Sequence, residues 1–234
     1  MKKVGMIQSN YIPWKGYFDF INMVDVFVLY DHVQYTKKDW RNRNKIKVPG
    51  GTIWLSIPIH TKGLYPHAAI NEMKVSNQEW RKKHWKSLEF YYKKAPFFKK
   101  YADIFYQLYM EDDEEYLSQI NYKFIKAINK ILGIETELRW STEFKIFGND
   151  KNEVIINILK QLDTDIYLLG PAAKSYLDEE LFAREGIKVE WMDYSGYPEY
   201  PQLYTPPFIH EVSVIDLIFN TGPDAPKYMK SFKK

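Results

Sequence analysis

The chain of 234 residues is 45% hydrophobic and 17% aromatic, enough to furnish a core and to exclude a disordered or fibrous protein. It has no cysteine, which rules out a disulfide framework, a thiolate zinc site and a cysteine nucleophile. Its 33 Lys and Arg against 30 Asp and Glu leave a formal charge of +3, mild for a dedicated nucleic-acid binder, and no apolar run approaches the roughly 18 residues of a membrane span.

Met1-Lys2-Lys3 leads directly into a strand, Val4 to Ile7, with no signal-peptide h-region, so a cytoplasmic protein without membrane insertion is expected. Pro13 forces extended backbone before it, and a helix with Tyr17, Phe18 and Ile21 on its apolar stripe follows and ends near Asp25. Gln8 and Asn10 then lie beside a helix N-terminus, a place suited to an anionic group. Val26 to Tyr30 is continuously apolar, as a strand covered on both faces is, and completes a βαβ unit.

Polar residues crowd behind these two strands. Gln8, Asn10, Tyr11, Trp14 and Tyr17 follow the first, and Asp31, His32, Gln34, Trp40, Arg41, Asn42 and Arg43 follow the second. In α/β proteins such positions face ligands, so the two stretches are expected to form the two lips of one site. Asp31 and His32 are the acid/base candidates, although Asp31 also suits a loop cap. Arg41 and Arg43 carry forks that fit phosphate or carboxylate.

Ile46 to Val48 and Thr52 to Ile59 flank Pro49-Gly50-Gly51 as a hairpin, and Ile70 to Val75 reads as a short strand. His60 and His67 are spaced too irregularly for a metal site, and none is expected. Helical periodicity runs over 77–94, 97–110 and 114–132, with Trp80 and His84 on an apolar stripe that reads as core, and the acidic run 111–115 as a helix start. Positive charge gathers at 37–47 and 81–100 among Trp40, Trp80, Trp85, Tyr91 and Tyr92, a face suited to RNA or nucleotide phosphates, or merely the solvated side of helices.

Strand, helix and strand return at 137–141, 152–161 and 166–169. Gly170, Ser175 and Tyr176 follow the last strand in a small-residue segment, the second site candidate. A helix over 179–185, a strand over 188–192, a Tyr/Pro loop over 194–207 with a fixed path, and a helix over 213–220 close the chain, leaving the last lysines as a frayed tail. The expected architecture is a single α/β domain with a mostly parallel, Rossmann-like sheet and a helical insertion over about 77–133. No Walker loop, dinucleotide fingerprint or His-Glu-x-x-His pair appears, so no cofactor is expected.

Gln8 with Tyr11-Ile12-Pro13-Trp14-Lys15-Gly16-Tyr17-Phe18, Tyr30-Asp31-His32-Val33-Gln34, Trp40-Arg41-Asn42-Arg43, Gly170-Pro171-Ala172 with Ser175-Tyr176-Leu177, and Tyr200-Pro201-Gln202-Leu203-Tyr204 together resemble the WbqC-like protein family, from Val4 to about Gly222. The resemblance implies a step in bacterial O-antigen or other surface-polysaccharide biosynthesis: transfer of an acyl or aminoacyl group, such as glycyl, to a nucleotide-linked amino sugar. It carries no catalytic residue set, so roles come from the residues themselves. Asp31 or His32 is expected as base, Gln8 and Asn42 as hydrogen-bond donors, Arg41 and Arg43 as phosphate holders, and Trp14 or Tyr17 as the stacking surface. Two alternatives stand beside this. The first is a nucleotidylyltransferase-like enzyme, although Trp14-Lys15-Gly16-Tyr17 lacks both histidines of that group's His-x-Gly-His motif. The second is a non-catalytic RNA- or glycan-binding module using the basic aromatic face.

Overall fold

The computed structural model describes residues 1–232. In chain order, β1 (Lys3–Ile7), α1 (Lys15–Asn22) and β2 (Val26–Leu29) form the first unit, and the hairpin β3 (Arg43–Val48) and β4 (Gly51–Ser56) follows. Three helices come next, α2 (Glu79–Tyr92), α3 (Phe98–Met110) and α4 (Leu117–Leu132). β5 (Glu137–Trp140), α5 (Lys151–Gln161), β6 (Ile166–Leu169), α6 (Glu179–Arg184), β7 (Lys188–Trp191) and α7 (Val214–Thr221) complete the regular elements. Five strands make one parallel sheet in the order β5-β2-β1-β6-β7, and the hairpin stands apart as a two-stranded sheet. Counted in chain order the five run 3-2-1-4-5, the doubly wound order. Its switch point lies between β1 and β6, and ligands of such folds bind beyond the C-terminal ends of the strands there.

Side-chain alternation sends each strand's residues into two cores. Val4, Met6, Val26, Val28, Tyr167 and Leu169 pack with α5 and α6. Phe27, Leu29 and Leu168 pack with α1, α2, α3, α4 and α7 on the opposite face. Helix α1 lies so close on β1 that a Cβ at Gly5 would run into the Phe20 ring. No helix among the described residues is long and apolar enough to cross a membrane.

Three local expectations change. The stretch 70–75 is a single 3-10 turn over Ile70–Glu72 joined to its neighbours by isolated bridges. The reason is that the amides of Ile70 and Asn71 donate to Val33 and Asp31 carbonyls, leaving no continuous ladder. The acidic run does not start a helix either. Asp112 is paired with Arg81 and Lys123, Glu114 accepts from the amides of Glu115 and Tyr116, and α4 begins only at Leu117. Of the last lysines, Lys230 is anchored by its Nζ to Asp193, at 3.0 Å, whereas the tail at 233–234 lies outside the described residues.

The Tyr/Pro loop takes its path from one buried carboxylate. Asp216, in the first turn of α7, accepts from Tyr92 at 2.6 Å, from Tyr200 at 2.6 Å and from Gln202 at 2.9 Å. Gln202 in turn exchanges two hydrogen bonds with the backbone of Ile209, both 3.0 Å. Burial raises the Asp216 pKa, against the pull of these donors. Asp216→Leu leaves three buried donors unmatched and should lower the unfolding free energy in urea by about 2–5 kcal/mol. Tyr204→Phe, which removes one half-buried bond to the Tyr91 carbonyl, should cost under about 1 kcal/mol. Equal midpoints for the two variants would show that the loop is held by other means.

Candidate functional site

The loops after β1 and β2 are joined along a seam of hydrogen bonds. The Tyr11 amide donates to the Trp40 carbonyl at 3.0 Å and the Ser9 amide to Asp31 Oδ1 at 2.7 Å. Ser118 on α4 donates to the other Asp31 oxygen, and Asn121 donates to Ser9 Oγ and to the Arg41 carbonyl. The Arg41 guanidinium donates to Asn10 Oδ1 and, at 3.1 Å, to Gln8 Oε1, with Asp39 at 3.7 Å as its counter-ion. A guanidinium only donates, so it turns both carboxamide oxygens toward itself and aims their NH₂ groups away from it. Asn10 is thereby a hydrogen-bond donor of fixed orientation.

That donor lines a cleft of about 310 Å³ formed with Pro13, Trp14, Trp40, Asn44 and Glu211. A second compartment of about 360 Å³ shares Trp14 and Glu211 with it and adds Tyr194, Gly196, Tyr197 and His210. Trp14 is the partition. Its indole packs 5.3 Å from Tyr194 and 5.4 Å from Tyr197, and it folds back over Gly16, where any Cβ would collide with the ring. This explains the Trp-x-Gly spacing. The turn before it is strained: Ile12 has φ 38°, costly for a β-branched residue. Asn44 holds the turn by donating to the Tyr11 and Ile12 carbonyls at 3.2 and 3.0 Å.

The ionisable groups near the second compartment are shifted by burial. Lys15 is 3% exposed, donates to the Pro198 carbonyl at 2.9 Å and lies 5.1 Å from both the Tyr197 and Tyr200 ring centres. Desolvation lowers its pKa to about 8, against the opposing pull of Asp19 and Asp216. His210 is pushed down by burial and by the Lys15 charge, and its Nδ1 is buried without a partner among the described residues. Both effects favour the neutral imidazole, against the opposing pull of Glu199 and Glu211.

The structure separates the sequence-derived residues into three groups. Asn10, Trp14 and Trp40 line the cleft, with Gln8 and Arg41 behind Asn10. Four others hold the loops instead of lining the cleft. Tyr11 is fully buried, its hydroxyl between His84 Nδ1 at 2.9 Å and Tyr109 at 2.6 Å. Tyr17 is 3% exposed and donates to the Gln8 carbonyl, so it offers no stacking surface. Asn42 donates to the Ile57 carbonyl at 2.8 Å. Asp31 is 1% exposed with both oxygens engaged and lines neither compartment; burial raises its pKa despite those donors.

The rest lie elsewhere along the rim. His32 contacts Ser141 Oγ at 2.8 Å through Nδ1, and burial lowers its pKa. Gln34 donates to the Pro66 carbonyl, and Arg43 sits on β3 over Trp54, 4.2 Å from the ring centre. Beyond β6, the Tyr194 hydroxyl approaches Gly170, Ser175 donates to the Ala172 carbonyl, and Tyr176 lies under the Lys151 ammonium at 3.4 Å. The first turn of α1 is buried, so the helix start beside Gln8 and Asn10 is not open to an anion. The basic aromatic face is also broken up, because Trp80, Trp85 and Tyr92 point into the core.

Tyr194, Tyr197, His210 and Glu211 complete the site without having been singled out in the sequence, and Asn44, from the polar run after β2, joins them. Asn44 ends the Trp40-Arg41-Asn42-Arg43-Asn44 run, which was a signal; the others lie in the Tyr/Pro loop or just beyond it. Among the described residues no group of three or more His, Asp or Glu side chains is arranged to hold a metal ion.

The profile of the WbqC-like protein family matches residues 8–228 of the chain. A Mycobacterium tuberculosis protein, "Uncharacterized protein Rv1507c", is 44% identical over 230 residues, covering 98% of this chain and 98% of its own length. No solved structure matches the chain.

Lys15 makes stability depend on pH in a defined direction. Its folded pKa of about 8 lies below the ordinary 10.5, so between those values the unfolded chain holds more protons and Lys15's contribution to stability rises with pH. The difference in unfolding free energy between wild type and Lys15→Met should therefore grow in favour of wild type by about 1–3 kcal/mol from pH 7 to pH 10. A difference that stays flat in urea titrations across that range would contradict the buried, desolvated ammonium.

Proposed function

We propose, from the premise that the chain belongs to the WbqC-like protein family, that it acts in bacterial surface-polysaccharide (O-antigen) biosynthesis, transferring an acyl or aminoacyl group, such as glycyl, to a nucleotide-linked amino sugar. The observation that carries this reading is the cleft itself. Two indoles, Trp14 and Trp40, meet an oriented carboxamide donor, Asn10, and a carboxylate, Glu211, on the rim of a doubly wound sheet. Sugar rings and bases both bind through flat apolar faces edged by hydrogen-bonding groups, which is the combination this cleft offers.

The second compartment supplies the reaction partner's side. An ester or thioester donor lying against Tyr194 and Tyr197 brings its carbonyl carbon to the sugar amine. The amine nitrogen attacks that carbon, a proton passes from nitrogen to the neutral His210 imidazole, and the bond from carbon to the alcohol or thiol breaks. The leaving group departs with that electron pair and takes up the proton. The base is assigned to His210 and not to Asp31 or His32, because His210 lines the compartment while Asp31 is enclosed by Ser9 and Ser118. Asp31 acts as a positioning residue that fixes the Ser9 turn.

A thermal-shift panel of nucleotide-sugars tests the reading. At least one nucleotide-linked amino sugar should raise the melting temperature of wild type, and Trp14→Ala should weaken its binding about tenfold or more. No shift from any member of the panel would remove the nucleotide-sugar reading. With the bound sugar and acyl or aminoacyl donors followed by mass spectrometry, His210→Gln should lower turnover about 100-fold or more. Asp31→Asn should stay within about tenfold of wild type, since an asparagine can accept from the Ser9 amide and donate to Ser118. The reverse ranking would return the base role to Asp31.

A further inference from the structure

The cleft's Trp40 wall carries a cation whose partner is a weakly held carboxylate from the far side of the site. Lys45, on β3, has a side chain 18% exposed, and its ammonium lies 5.8 Å from the Trp40 ring centre and 5.6 Å from that of Trp54. Glu211 pairs with it at 3.2 Å, from a side chain that is 78% exposed. What brings them together is backbone, since the Ser213 amide donates to the Lys45 carbonyl at 2.8 Å and delivers residue 211 to the mouth of the cleft. Arg43 stacks on the same Trp54 ring, and its Nε is buried without a partner among the described residues. Two cations thus share one indole, and one exposed carboxylate pairs with Lys45 alone.

An ion pair this exposed contributes at most about 1 kcal/mol, so a ligand of higher negative charge displaces the carboxylate at little cost. Arg41 is not available for that task. Its guanidinium is engaged by Gln8 and Asn10 with Asp39 beside it.

We propose that Lys45, supported by Arg43, is the diphosphate anchor of the cleft, and that Glu211 occupies this anchor as an internal counter-ion which a diphosphate replaces. This rests on the reading of the ligand as a nucleotide-linked sugar and assigns the phosphate contact within it. The diphosphate lies along the Trp40 wall and the sugar reaches in toward Trp14 and Asn10. Binding is then a one-for-one exchange of counter-ions at Lys45, and it weakens with added salt.

Calorimetric titration with inorganic pyrophosphate at low salt tests the anchor directly. Wild type should bind it, Lys45→Gln should bind it about tenfold more weakly or worse, and Glu211→Gln should bind it several-fold more tightly because the competing carboxylate is gone. Glu211 is exposed, so its variant keeps the fold, and thermal melts check Lys45→Gln. Equal affinities in all three proteins, or no pyrophosphate binding even to Glu211→Gln, would overturn the anchor. The nucleotide-sugar panel, run on the same proteins, separates the two readings. A nucleotide-sugar held equally by wild type and Lys45→Gln refutes the anchor and leaves the proposed function standing. The expected pyrophosphate pattern without any nucleotide-sugar binding keeps the anchor and removes the sugar.

Discussion

The site depends on the fork of Arg41. One guanidinium joins the loop after β1, through Gln8 and Asn10, to the loop after β2 on which Arg41 itself stands. Because it can only donate, it does more than tie two segments together: it decides which way both carboxamides face. Beneath it Asp31, Ser9, Ser118 and Asn121 extend the same seam to α4, so three separate parts of the chain set the position of Asn10.

This arrangement reverses an ordinary intuition about polar residues. The side chains with the most evident chemical promise, Asp31 and Arg41, are consumed in holding backbone and amides, and Tyr17 and Asn42 serve carbonyls. The cleft surface falls instead to indoles, two carboxamides and residues from the second half of the chain. A carboxylate this enclosed, with both oxygens already accepting, is out of a ligand's reach but is a good fixture, since its hydrogen bonds are shielded from water.

A second buried carboxylate does the same for the far wall. Asp216 gathers Tyr92, Tyr200 and Gln202, and through Gln202 fixes Ile209, next to His210 and Glu211. The Tyr/Pro loop is thus rigid through hydrogen bonding as well as through its prolines. Burial lowers the His210 pKa, and the charge of Lys15, enclosed between Tyr197 and Tyr200, adds to that effect.

How much of this was legible in the sequence follows from the range of the interactions concerned. The apolar runs Val26 to Leu29 and Ile166 to Leu169 announce parallel strands, because a strand covered on both faces admits no polar alternation, and the α/β architecture follows from them. The convergence of the first two loops was also readable, as both follow strands of one βαβ unit. The short 70–75 segment was misread, because its apolar spacing was produced by contacts to 31–33 and not by strand pairing. Tyr11 and Trp14 look alike by type and position, yet one is sealed between His84 and Tyr109 and the other stands over Gly16 in the cleft. Only packing distinguishes them. The sequence by itself determined the layering and the location of the site's first lip, since both rest on local periodicity. Tertiary structure alone decided which polar groups line the two compartments and which are locked away, and it brought His210 and Glu211 about 200 residues back to Trp14, because a hydrogen bond such as that from Ser213 to Lys45 leaves no local pattern in the chain.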